Sequence, residues 1–127
     1  MLSPGHALLL AFAGAAGTLL RAGCNGLGER LVGHGFPWAT LAVNVAGSFA
    51  FGVIHALARS RGLFTVQQEV ILLVGLLGGF TTYSSFAFQS VEMLVHGRTT
   101  AALAYVAVTN IAALAAVWAG LRLGGAA

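Results

Sequence analysis

The sequence predicts an all-α membrane protein of four transmembrane helices, the third broken at its centre, and three observations predict it. Charged residues make up 7% of the 127-residue chain and apolar residues 58%, where a soluble domain carries about 25% charge. So few charges cannot solvate a globule of this size, whereas in a bilayer apolar side chains face outward without penalty. Four apolar stretches of spanning length follow one another, separated by one longer loop and two short turns, all containing glycine and arginine. The third stretch is interrupted by Gly78-Gly79 and then by Thr81-Thr82-Tyr83-Ser84-Ser85. In hydrocarbon, irregular backbone is tolerated only where protein buries it or it lines a polar cavity.

Taken in order, the first span covers about residues 4–22. Pro4 suits a helix start, and Arg21, Gly23, Gly26 and Gly28 mark its end and a loop reaching to about Phe36. It reads as a retained span rather than a signal peptide, because no Lys or Arg precedes it and Arg21 stands where a cleavage site needs small residues. The second span covers about 37–58, with Trp38 at its interfacial end. Arg59 to Gly62 form a short turn. The third covers about 66–95, and as a straight helix it would rise about 45 Å. That exceeds the ~30 Å of hydrocarbon, so a break near 78–85 is expected. The fourth covers about 99–122, with Trp118 and Arg122 near its far end. The whole chain, 1–127, reads as one four-span domain.

Composition also excludes functions. The six basic residues are all arginines spread over loops and span ends, which is no basic face for nucleic acid. Cys24 is alone, so no intrachain disulfide or cysteine metal cluster can form. The three acids, Glu29, Glu69 and Glu92, lie far apart in sequence, and the histidines lack metal-ligand spacing, so no catalytic constellation is visible and no enzyme is expected.

The arginines are divided evenly between the two sides, Arg21, Arg30 and Arg98 against Arg59, Arg61 and Arg122. The positive-inside rule orients a chain by asymmetry of such charge. Its near absence predicts dual topology and, with it, an antiparallel homodimer. The competing expectation is that N-terminal hydrophobicity imposes a single orientation.

Polar residues inside the spans mark the candidate site. Thr40, Asn44, Ser48 and His55 fall within roughly an 80° arc of the second helix, and such groups turn to the bundle interior; His55, near the end of the helix, reads instead as interfacial. Asn44 brings two amide N–H donors, which suit an anion; the bland alternative is a hydrogen bond across helices. Tyr105 and Thr109 share one face of the fourth span. Tyr83 and Phe86 are three residues apart, and their ring edges carry partial positive charge. At the break, unwound carbonyls suit a small cation and half-helix N-termini suit an anion. The alternative there is a packing kink whose hydroxyls satisfy the freed backbone.

At these residues the chain resembles the Fluc/CrcB family of small fluoride channels over essentially its whole length. Gly78 to Phe86 is similar to the family's GGxTTFSTF-like run, Asn44-Val45-Ala46-Gly47-Ser48-Phe49 to its NxxGSF element, and Gly14 to Arg21 to its glycine-rich first helix ending in Arg. The resemblance implies a fluoride-selective passive channel that exports F⁻ to relieve its toxicity, built as a dual-topology homodimer with two antiparallel pores in the cell inner membrane. It implies a fluoride pore lined by Asn44, Tyr83, Ser84, Phe86, Tyr105 and Thr109. It also implies a structural Na⁺ at the dimer centre, held by Gly78 and Thr81 carbonyls. Tyr83 departs from the family's phenylalanine, and Ala113 falls where a hydroxyl is common. The alternative is a small multidrug-resistance-type proton-coupled exporter, which needs an intramembrane acid; the first span has none.

Overall fold

The computed structural model describes residues 3–125. Helix α1 runs Pro4–Val32; Ser3 caps it by accepting from the His6 N–H, and Gly33 ends it with φ 76°. The expected end near residue 22 is wrong. The glycines that suggest a loop, Gly23, Gly26 and Gly28, stay helical, because a chain in lipid keeps its backbone bonds inside the helix at a glycine penalty of only about 1 kcal/mol each. At 29 residues the helix rises about 43 Å, so it tilts or protrudes from the hydrocarbon. Helix α2 runs Trp38–Arg61 and stops at Gly62, whose φ of 60° is left-handed.

The third span is a composite. Helix α3, Val66–Val70, starts with a capping box in which Thr65 and Gln68 satisfy each other's backbone N–H. It widens into a π-helix over Ile71–Leu77, returns to a single turn, α4, at Gly78–Phe80, and breaks. Thr81 (ψ 159°) and Thr82 (φ −151°) are extended, and α5 resumes at Tyr83–Val95. The break is thus two residues long and lies inside the expected 78–85 window. After a tight turn at Gly97 (φ 73°), α6 runs Thr99–Gly124.

Four helical stretches in this fold are long and apolar enough to cross a membrane. Their contacts fix an up-down-up-down order. Gly28 packs on Ala39, where α1 gives way to α2. Gly14 and Gly17 lie against Gly75, Leu76, Gly79 and Phe80, so α1 runs alongside the third span. Gly52 meets Val117 and Gly120, and Gly124 meets Ala56, so α2 and α6 run parallel at backbone contact. A side chain does not fit at the closest points of these crossings: a Cβ on Gly17 would overlap the Leu76 carbonyl, and one on Gly120 the Phe49 carbonyl. Small residues give membrane helices this close dispersion packing in place of a hydrophobic drive. Leu8, Phe12, Leu19, Leu103, Ile111 and Leu114 face outward, each more than half exposed, as a lipid-facing surface requires.

One end of the bundle therefore gathers the α1 and α3 N-termini with the α2 and α6 C-termini. The other gathers the α1 and α5 C-termini with the α2 and α6 N-termini. Between them the packed core is small: Phe86, Met93, Ala102 and Tyr105, flanked by Phe36 and Leu41.

Candidate functional site

The break leaves backbone groups that need partners, and side chains from three elements supply them. Asn44 on α2 grips Thr82 twice: its Oδ1 accepts from the Thr82 N–H at 2.8 Å, and its Nδ2 donates to the Thr82 carbonyl at 3.1 Å. Of the two amide donors expected at Asn44, one is therefore spent on the backbone and one N–H remains. Thr82 Oγ1 accepts from the Ser85 N–H at 3.2 Å, capping α5, and lies 3.4 Å from Ser84 Oγ. Arg21 Nε on α1 donates to the Gly79 carbonyl at 3.1 Å. A cation at a helix C-terminus complements the carbonyl end of the dipole, which explains an arginine inside a span.

This pattern selects two carbonyls. In a continuous α-helix the Gly78 carbonyl would accept from the Thr82 N–H and the Thr81 carbonyl from the Ser85 N–H. Both N–H groups are turned to side chains, Asn44 Oδ1 and Thr82 Oγ1. The Gly78 and Thr81 oxygens thus lose their helical donors, which is the chemistry a small hard cation accepts. Thr81 itself holds on to α4, its N–H and its Oγ1 both donating to the Leu77 carbonyl at 2.9 Å.

Beside the break lies an open groove of about 340 Å³, lined among others by Asn44, Ser48, Thr82, Tyr83, Phe86 and Thr109. Gly78 and Thr81 border it as well. Tyr83 is 78% exposed at its rim, with its ring 5.6 Å from that of Phe86 and tilted 53°. Thr109 Oγ1 is buried without a hydrogen-bond partner. Ser84 is exposed, outside the groove lining.

Tyr105 is placed differently. It is fully buried and does not line the groove. Its ring stands behind Phe86 at 5.2 Å and takes Phe36 edge-on at 5.4 Å. Its hydroxyl donates to Gln89 Oε1 at 3.0 Å, and Gln89 Nε2 donates to Thr40 Oγ1 at 3.0 Å. This chain ties α6, α5 and α2 together and ends at a second cavity of about 170 Å³, whose lining includes Asn25, Glu29, Thr40, Gln89, Glu92 and Arg98. Sequence reasoning missed Gln89. The available signal was its spacing, about one turn beyond Phe86 on the same helix.

Residues 8–121 match the family described as CrcB-like protein, Camphor Resistance (CrcB). The chain is similar to a protein of Solidesulfovibrio magneticus named Fluoride-specific ion channel FluC, with 42% identity over 91% of this chain and 92% of that one. Proteins of the same name from Rhizobium etli (40% identity) and Thermus thermophilus (41%) are similar over 93% and 94% of this chain and 94% of each of theirs. A family match over most of the length, carried through the Asn44 stripe, the broken third span and the small-residue crossings, identifies the chain as a member of the CrcB-like family of multi-pass membrane proteins.

Proposed function

We propose that the chain is a fluoride-selective passive channel that exports F⁻ across a cell inner membrane and so relieves fluoride toxicity. The observation that carries it is the groove. Inside a membrane span it offers the free Asn44 N–H, the unpartnered Thr109 hydroxyl and the aromatic edges of Tyr83 and Phe86, and no carboxylate lines it. Fluoride sheds tightly held water only against donors and electropositive edges, and a strong cation in the path would trap it. The similarity to proteins named as fluoride-specific channels points the same way. The proton-coupled exporter would need an acid in its substrate path, and no carboxylate lines this groove.

The functional unit is an antiparallel homodimer with two oppositely directed pores. An open groove at mid-span and a rim tyrosine 78% exposed need cover, and a second copy supplies it. The Gly78 and Thr81 carbonyls fit a structural Na⁺, which would draw the broken spans of the two copies together by neutralising their converging carbonyl dipoles. Phe86 and Tyr83 then flank the anion, Asn44 and Thr109 donate to it, and Tyr105 acts from behind by fixing Phe86.

The test is fluoride efflux from proteoliposomes with a potassium ionophore, beside chloride. Fluoride efflux driven by the potassium gradient, with chloride retained, is the expected result. Equal release of both ions, or of neither, sinks the proposal.

A further inference from the structure

The function above leaves one ionic cluster unused, a buried acid met by a partly exposed histidine and an exposed arginine. Glu69 on α3 is 8% exposed. Its Oε1 lies 2.8 Å from His55 Nδ1, and its Oε2 lies 3.5 Å from Arg59 Nη2. His55 and Arg59 are successive turns of α2, so the cluster ties the end of α2 to the start of the third span.

Its position gives it a use. On α2, Asn44 and Ser48 line the groove, and His55 continues the same polar face toward the C-terminus. On the third span, Leu73 and Leu77 line the groove, and Glu69 precedes Leu73 by one turn. The trio thus stands where the groove runs out at the end holding the α2 and α6 C-termini. An ionised carboxylate only accepts, so His55 Nδ1 donates its proton to Glu69 and Nε2 is the ring nitrogen left free. With a neutral imidazole the trio sums to zero, one Glu against one Arg. With a second proton on His55 it sums to plus one. An imidazole is the side chain that changes charge between pH 5 and 8. Among the described residues no other charged side chain bonds to the cluster. At this end Arg61 on α2 is exposed, Arg122 on α6 lies over the Trp118 ring at 5.2 Å, and His6 on α1 is bonded to Ser3.

We propose that the His55–Glu69–Arg59 cluster is a proton-tuned mouth for anions, neutral at alkaline pH and electropositive at acid pH. Conduction through each pore therefore rises as the side bearing its cluster is acidified. This inference rests on the anion-channel reading of the groove. The gain is about threefold, the effect of one added unit charge acting through water at about 7 Å.

The experiment is initial fluoride efflux from proteoliposomes at about pH 8 and pH 6, with protein-free vesicles giving the leak of neutral hydrogen fluoride at each pH. Wild type is expected to speed up about threefold at pH 6, and His55→Gln to run at the slow rate at both pH values. His55→Lys, cationic throughout, is expected to run at the fast rate at both. Size-exclusion chromatography verifies that each variant is assembled, and the Lys variant decides the matter if the Gln variant does not fold. Fluoride efflux that is pH-independent in wild type, or still pH-dependent in either variant, overturns the inference and leaves the channel reading standing. Absence of fluoride efflux from wild type at both pH values removes the channel reading and this inference with it.

Discussion

Asn44→Ala tests the clamp on the break most directly. The side chain makes two bonds to one residue, at 2.8 and 3.1 Å, and Thr82 is only 7% exposed. Each bond contributes about 1 kcal/mol net, and each backbone group left buried without a partner costs about 1–3 kcal/mol. Hydrogen bonds between membrane helices average the lower figure of about 0.6 kcal/mol, because the unfolded chain in lipid also finds partners. The expected loss is therefore about 2–4 kcal/mol, a large share of the 5–15 kcal/mol that holds an ordinary domain together. Thermal unfolding of the purified protein in detergent, followed by near-ultraviolet circular dichroism, is expected to fall by at least about 6 °C, at roughly 3 °C or more per kcal/mol for a chain of this length. Asn44→Asp sharpens the test. Its carboxylate still accepts from the Thr82 N–H but sets a second oxygen against the Thr82 carbonyl, so it should be no more stable than the alanine variant. An alanine variant as stable as wild type would refute the clamp, and an Asp variant more stable than the alanine variant would refute the assigned donor.

Further outcomes follow from the same contacts. Gly79→Ala should destabilise by about 1–3 kcal/mol, because its Cβ would overlap the Gly14 carbonyl. Gly14→Ala, whose Cβ meets nothing nearer than 3.8 Å, should be neutral or gain up to about 1 kcal/mol; paired melting curves compare them. Arg21→Ala strips the Gly79 carbonyl of its donor and should lower stability by about 1–3 kcal/mol, with Arg21→Lys recovering part of it in the same assay. Gln89→Leu leaves the buried Thr40 and Tyr105 hydroxyls without their shared partner and should lower stability by about 2–4 kcal/mol. Adding Tyr105→Phe to it should then be less harmful than Tyr105→Phe alone, a coupling that a double-mutant cycle measures.

What the sequence determined by itself is the solvent and the spacing. Seven per cent charge leaves lipid as the one surrounding the surface tolerates, and in lipid the long continuous apolar runs form helices rather than the alternating strands of a barrel. The length of the third span and its glycine–threonine run located the break. Helical periodicity placed Asn44, Ser48 and His55 on one face, and the motifs around Asn44 and Gly78 carried the family. Only the tertiary structure decided which partner each polar group took. Asn44 meets Thr82 38 residues away and Arg21 meets Gly79 58 residues away. Periodicity fixes the face of a helix, but crossing angle and axial offset fix the neighbour, and here those follow from glycines such as Gly17 and Gly52 that let backbones touch. For the same reason Tyr105, on the expected face, turned its hydroxyl to Gln89 rather than the groove, and His55 found Glu69. The length of α1 was also hidden: its glycines read as a loop in water's terms, while in hydrocarbon an unpaired backbone costs more than a glycine does, so the helix runs on to Val32.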